Sequence, residues 1–378
     1  MIFGETKQFS FTPKFSAMET REGMAQITRP VRLWLLVGVV MVFFQVVIGG
    51  VTRLSDSGLS ITEWKPIQGT IPPLNEAEWQ VAFEKYKLAA KRQYEALHGD
   101  MTLREFKFIF FWEYFHRLWA RLMAFVFIVP FCWFLWKKRM PGWLIRSLGT
   151  VVGLAMLEAV FGWIMVKSGL NNDTRTWVSA YKLAIHLSIG TAVFGYLFWT
   201  WQRAAQPVVS DGGLGGLRKF GWGVVVVLCV QIVFGGLMAG MRAGLLHPHF
   251  PVFVEWERFQ QALVAAPVGT DQLLDYEPQQ SVKAIVQLLH RGMAWALAVL
   301  VALFFFKIRR APASPVLQRG GKLMMAMLVV QFLLGVMTII NCIGRVPLTW
   351  GAVHQAGALV LLAIVLHVNR QFSENRNG

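Results

Sequence analysis

Hydrophobic residues arrive in eight long runs, at about residues 31–52, 113–136, 143–166, 178–201, 220–241, 286–306, 321–341 and 350–369. Each is close to the ~20 residues that an α-helix needs to cross a bilayer. The connections after the third and seventh runs are short, whereas 53–112 and 242–285 are long. Within the first long connection, Trp79–Leu97 (WQVAFEKYKLAAKRQYEAL) places apolar and charged residues at helical spacing and is expected to form an amphipathic surface helix. Residues 1–30 hold Glu5, Glu19 and Glu22 among few bases and contain no apolar signal core. They read as a short cytoplasmic tail rather than a targeting sequence.

Composition fixes the class. The 378 residues are 55% hydrophobic and 15% charged, with a mean hydropathy of +0.47, which describes a polytopic membrane protein and not a soluble one. A net charge of +16 would suit a nucleic-acid partner, but the bases flank the apolar runs instead of forming a basic domain. Lys137, Lys138 and Arg139 follow the second run, and Lys307, Arg309 and Arg310 follow the sixth. The short loops after the third and seventh runs carry only Lys167, Arg175 and Arg345. Positive loops stay inside, so both termini are expected in the cytoplasm and both long connections outside, with no nucleic acid bound. Cys132, Cys229 and Cys342 lie in or at the ends of apolar runs, with neither zinc nor covalent-haem spacing, and read as small buried residues.

The two halves repeat each other. HRLWARLMAFVF from His116 matches HRGMAWALAVLV from His290, and AIHLSIGTAVF around His186 matches AVHQAGALVLL around His354. The odd-numbered runs share Gln/Glu-x-x-x-Gly: Gln45/Gly49, Glu158/Gly162, Gln231/Gly235 and Gln331/Gly335. A small residue lets helices approach closely, and a polar one can hydrogen-bond across the contact. The expected fold is therefore all-α: eight transmembrane helices in two pseudo-symmetric four-helix bundles, 31–201 and 220–369. A cytoplasmic linker, 202–219, joins them, and a tail, 370–378, ends the chain.

Four histidines, His116, His186, His290 and His354, fall one to each even-numbered run, near its outer end. Counting inward leaves about 16–20 residues, or roughly 24–30 Å of helix, so the four share one depth. A single intramembrane histidine is usually a hydrogen-bonded structural residue. Four at equivalent repeat positions point to metal ligation, and facing helices can supply both axial ligands of a haem. The pairs within the halves are His116/His186 and His290/His354. Zinc is the weaker reading, since neither pair has a thiolate or carboxylate set to complete it. Arg117 and Arg291 directly follow two of the histidines and could bind haem propionates bidentately, or else snorkel to headgroups. Glu113 precedes His116 by three residues on the same helical face, where the second half has Gln287. The halves are therefore expected to differ in role, one reactive and one electron-transferring.

These segments resemble the haem A synthases, in the subgroup shared by proteobacteria and mitochondria. The resemblance covers almost the whole chain and is carried by Gly49–Pro73 (GGVTRLSDSGLSITEWKPIQGTIPP), His98–Arg121 (HGDMTLREFKFIFFWEYFHRLWAR) and the later histidines. It implies an inner-membrane oxidoreductase that oxidises the C8 methyl of haem O to a formyl group through hydroxylated intermediates. The product, haem A, serves cytochrome c oxidase. It further implies that His116 and His186 hold the substrate haem, that His290 and His354 hold a permanent haem b, and that Glu113 is the catalytic carboxylate. The implied partners are the haem O synthase as donor, an electron acceptor of unassigned identity and, as one option, further copies of the chain. Some members carry a cysteine pair in the first outer loop; this chain has none there. The rival reading is a di-haem b-type electron-transfer protein, which explains the histidines but not a carboxylate in one half only. A transporter would need broken helices and polar groups at the midplane.

Overall fold

The computed structural model describes residues 27–63, 68–170, 177–205, 214–251, 255–264 and 280–372. Most of the expected tails and the middle of the linker lie outside these. Among the described residues there are eleven α-helices and no strand. Eight are long and apolar enough to cross a membrane: α1 (Arg29–Leu54), α4 (Leu103–Trp136), α5 (Gly142–Lys167), α6 (Ala180–Ala205), α7 (Gly215–Met241), α9 (Gln280–Arg310), α10 (Pro315–Ile340) and α11 (Leu348–Arg370). The three short ones, α2 (Glu76–Ala89), α3 (Lys91–Leu97) and α8 (Trp256–Val264), sit in the two long connections. The protein is an all-α, polytopic membrane protein.

Two of the spans start earlier than hydropathy alone suggests because polar caps extend them. The second span was expected from residue 113, but α4 begins at Leu103, where Thr102 and Glu105 form a reciprocal capping box. Ser314 caps α10 through the Leu317 amide, and Pro315 opens the helix with a backbone angle already suited to it. The ten-residue extension of α4 receives the first long connection. The expected amphipathic helix breaks at Ala90 into α2 and α3, and its apolar face meets protein. Phe83 and Tyr86 are buried against Phe106, with ring centroids 4.9 and 5.5 Å apart, and Trp79 lies 5.0 Å from Phe110.

Helix pairing follows the repeat. α1 packs on α4 and α6, and α5 on α6; correspondingly, α7 packs on α9 and α11, and α10 on α11. Across the halves α1 meets α11, α6 meets α7, and α6 meets α11. These contacts fit a twofold relation between the halves, except that α9 also packs on α10 without an equivalent contact of α4 on α5. The central four, α1, α6, α7 and α11, have 39–44% of their most apolar stretch buried, against 6–17% in the outer four. On the outer helices Phe125, Val129 and Met156 face outward, as suits a surface covered by lipid.

The seam between halves is close-packed. Gly236 and Gly240 of α7 face Ala184 and Ala180 of α6, and a Cβ on Gly240 would stand 2.8 Å from the Ala180 Cα. Small residues four apart let the two backbones touch. At the end that carries the long loops, Arg53 donates to the carbonyls of Ala239 (3.2 Å) and Gly240 (3.0 Å). Asp56 accepts from both Arg53 and Arg242, so one acidic residue of the first half ties down the end of α7.

Candidate functional site: a cavity lined by four histidines

All four histidines line one cavity of about 840 Å³ that runs through both halves. That is within the roughly 300–1,000 Å³ usual for a bound cofactor or small molecule. Its walls are mostly aliphatic side chains and glycines, with a few polar groups among them.

Each histidine rests on a glycine of the neighbouring odd-numbered span. A Cβ added to Gly49 would lie 3.0 Å from His116 Cε1, on Gly162 3.0 Å from His186, on Gly335 3.0 Å from His354, and on Gly235 3.4 Å from His290. These glycines stand five or six residues before the ends of α1, α5, α10 and α7 (Leu54, Lys167, Ile340 and Met241). The four imidazoles therefore share one level near the long-loop end. The glycine of Gln/Glu-x-x-x-Gly makes room for a histidine ring. Its use in holding helices together falls to the next residue: Gly50 faces the Gln355 side chain of α11 and Gly236 faces α6.

The polar member of the pattern also meets its histidine in three of the four copies. Glu158 Oε1 lies 3.1 Å from His186 Nδ1. Gln331 Nε2 lies 3.2 Å from His354 Nδ1 and donates to the His354 carbonyl at 3.0 Å. Gln231 Nε2 donates to the His290 carbonyl at 3.0 Å and lies 3.5 Å from His290 Nε2. Gln45 also lines the cavity.

Glu113 is buried beside His116 and is held from three directions. Its Oε2 accepts from the Ser60 hydroxyl and the Ile61 amide, both at 2.8 Å, and its Oε1 is paired with Arg117. Arg117 also donates to the carbonyls of Ile61 (2.9 Å) and Glu63 (3.2 Å). The second half reproduces this clamp without the charge. Gln287 donates to the His247 carbonyl at 2.9 Å, and Arg291 donates to the carbonyls of His249 (2.9 Å) and His247 (3.5 Å). Both arginines line the cavity while anchoring the loop above it. His249 pairs with Glu255 at 2.6 Å, and His247 is buried beneath the loop, which holds its imidazole below the usual histidine range.

The donor set fits a haem in each half. His116 Nδ1 and His290 Nδ1 are buried polar atoms with no hydrogen-bond partner in the protein, which is costly unless a further group engages the ring. Two histidines per half, an apolar surround and arginines at one end suit iron, a porphyrin face and propionates respectively. A closed metal cage is absent: no group of three or more His, Cys, Asp or Glu gathers among the described residues, which disfavours zinc.

Fold and site define a polytopic membrane protein that encloses one largely apolar cavity lined by two pairs of histidines. Residues 32–366 match the model of the cytochrome oxidase assembly protein family (COX15-CtaA), and the chain belongs to that family. It is 36% identical over 346 residues to the haem A synthase of Flavobacterium psychrophilum, covering 92% of this chain and 99% of that protein. The haem A synthase of Nitrosospira multiformis is 39% identical over 352 residues, covering 91% and 94%. That of Bradyrhizobium sp. is 37% identical over 353 residues, covering 92% and 93%.

The sequence pattern pointed to the four histidines, Glu113, Arg117 and Arg291, and all seven line the cavity. It did not reveal Glu158 as the partner of His186, the glycine beneath each ring, or Ser60 as the donor to Glu113. The first two were open to inspection, since the Gln/Glu-x-x-x-Gly copies sit at the histidine level. Ser60 carried no signal, because only the loop's path brings it to α4.

Proposed function

We propose that the chain is the enzyme that oxidises the C8 methyl of haem O to a formyl group, yielding haem A. The observation that carries this is the cavity: two histidine pairs, equivalent by repeat, in a chain similar along nearly its whole length to haem A synthases. The first bundle, 31–201, takes the substrate on His116 and His186. The second, 220–369, takes haem b on His290 and His354. Both bundles sit in the bacterial inner membrane with their termini in the cytoplasm, and haem O arrives from the membrane enzyme that makes it.

The overall change is CH3 + H2O to CHO, with release of four electrons and four protons in two stages through the alcohol. Haem b, when bound, supplies a one-electron acceptor and relay. The residues of the chain do the rest. The two histidines of the first half orient the macrocycle, and the apolar walls keep bulk water from the activated carbon. Glu113 sits beside His116 as a fixed anion, held by Ser60, Ile61 and Arg117 so that it need not reorganise. As the methyl carbon loses electrons it becomes positive, and a preorganised carboxylate stabilises that charge or accepts a proton from the attacking water. Arg117 and Arg291 hold the loops over the cavity, and their guanidinium groups could also bind propionates.

Purified protein from cells that make haem O tests this directly. Its non-covalent haems are extracted and identified by mass, and conversion of haem O is followed in time. Haem b with haem O, haem A or the alcohol is expected; haem b alone at two per chain would favour the electron-transfer protein. Glu113→Gln is expected to keep both haems and lose turnover, and full turnover in that variant would refute the role of Glu113. His290→Ala is expected to remove haem b.

A further inference from the structure

We infer that the cleft between α4 and α5 opens the first-half pocket sideways into the bilayer and lodges the isoprenoid chain of the substrate haem. This rests on the reading that the first half binds haem O, which carries such a chain where haem b has none. Ala120, Ala124 and Ile128 of α4, and Ala155, Met156 and Ala159 of α5, line the cavity and are also exposed on the outer surface. A side chain does both only where the cavity is open. The cavity also holds the buried His116 Nδ1, which has no partner in the protein, so a ligand is called for on this side.

The repeat shows a closed version of the same wall. α9 packs on α10, whereas α4 does not pack on α5 in that way. By the offsets that relate His116 to His290 and Glu158 to Gln331, Arg121 matches Trp295 and Ala159 matches Phe332. Trp295 and Phe332 meet edge to face across α9 and α10, with ring centroids 4.8 Å apart, and Phe250 of the loop stands 6.3 Å from Phe332. Such rings attract each other and fill a gap between helices. The matching positions of the first half hold no ring. Along the helices the difference persists. A Cβ on Gly321 of α10 would meet Ile308 and Phe305 of α9 at 3.5 and 3.6 Å, but on Gly149 or Gly153 of α5 it would meet nothing within 4 Å.

Direction and polarity commit the cleft to one occupant. α4 runs inward from His116, and Ala120 to Ile128 is eight residues of helix, about 12 Å. The cleft therefore begins one turn from the histidine level and continues toward the bilayer interior. Arg117 and Arg291, which suit propionates, stand at the other, long-loop end. The chain of haem O lies on the side of the macrocycle away from its propionates, and the six residues of the cleft are apolar. Burying even two of its methylenes is worth about tenfold in binding.

The test compares haem O with haem b, which shares its iron and propionates but lacks the chain. Purified full-length His290→Ala protein, with only the first-half pair intact, is offered equal amounts of both, and the bound haems are extracted and identified by mass. Haem O, counted with its oxidised products, is expected to exceed haem b by about tenfold or more. Ala124→Phe or Ala155→Phe, which fills the cleft, is expected to lower that ratio about tenfold with haem b loading unchanged. An unchanged ratio, as a cleft occupied by bilayer lipid would give, overturns the inference. Full haem loading after a further His116→Ala overturns the reading on which it rests, whatever the ratio. Should the Phe variants fail to accumulate, Trp295→Ala with Phe332→Ala in a His116→Ala background decides. Haem O is expected to gain on haem b at the second-half pair, and no gain there is equally fatal.

Discussion

On the proposal that His290 and His354 hold haem b, the glycines beneath these two histidines allow a graded test on a single haem. Gly335 and Gly235 flank the same pair, one under His354 and one under His290. A Cβ on Gly335 would lie 3.0 Å from His354 Cε1, whereas on Gly235 it would lie 3.4 Å from His290 Cε1. Carbon atoms pack best at about 3.5–4.0 Å, so the first substitution overlaps by at least ~0.5 Å and the second hardly at all. Overpacking of this kind costs roughly 1–3 kcal/mol, and each ~1.4 kcal/mol is tenfold in binding if the strain falls on the ligated ring. Gly335→Ala should therefore weaken haem b retention by about five- to 150-fold, while Gly235→Ala stays near wild type. Both substitutions remove a glycine from a helix interior, which by itself favours the helix by up to ~1 kcal/mol, so loss of fold does not explain a difference between them. The assay is haem b per chain after purification, followed by competition with a haem-binding apoprotein. Full retention in Gly335→Ala, or a larger loss in Gly235→Ala, would refute the claim that these glycines make room for the rings.

Two further outcomes follow from packing and charge elsewhere. Gly240→Val should stop the halves from assembling, because its side chain would meet the Ala180 backbone, whereas Gly223→Ala, with nothing within 4 Å, should leave yield and thermal midpoint unchanged or slightly raised; membrane yield and melting in detergent separate the two. The packing of α2 and α3 should weaken in acid. His98 shares a 2.7 Å hydrogen bond with the buried Tyr86, and its own burial holds its imidazole below the usual histidine range. Above about pH 6.5 neither folded nor opened loop carries that proton and stability is full; below it the opened loop takes one up first, so stability falls as pH falls. Limited proteolysis of the α2–α3 segment at pH 7.5 and 5.5 should show faster cleavage at the lower pH, and His98→Gln should flatten the difference.

How far the sequence reached depended on how local the cause was. Eight spans were legible because lipid leaves a helix no alternative to a long apolar run. Their starts were not, since α4 is lengthened by Thr102 and Glu105, two polar residues outside any hydropathy signal. The histidine level was legible from counting along helices of fixed rise. The clamp on Glu113 was not, because Ser60 and Ile61 reach it only through the fold of the connection, 53 and 52 residues away in sequence. The amphipathic stretch was read correctly as helix, but its partner was missed. An apolar stripe can face lipid or protein, and here the aromatic cluster of Phe106 and Phe110 on the lengthened α4 takes it.

The repeat makes the asymmetry of the site informative. Two pairs of matching positions beside the histidines differ by a single atom type: Glu113 stands where the second half has Gln287, and Glu158 where it has Gln331. Shape is kept in both, and a carboxyl group stands only in the first half. At Glu113 the charge is neutralised at once by Arg117, so its influence is confined to the few ångströms around His116. At Glu158 the carboxyl lies against His186 in the place where Gln331 lies against His354, and a glycine of the same helix as the histidine gives each its room. Exchanging this pair, Glu158→Gln with Gln331→Glu, keeps both shapes, so membrane yield and melting in detergent should match the wild type. A marked loss of either would show that the two positions differ in packing and not only in chemistry.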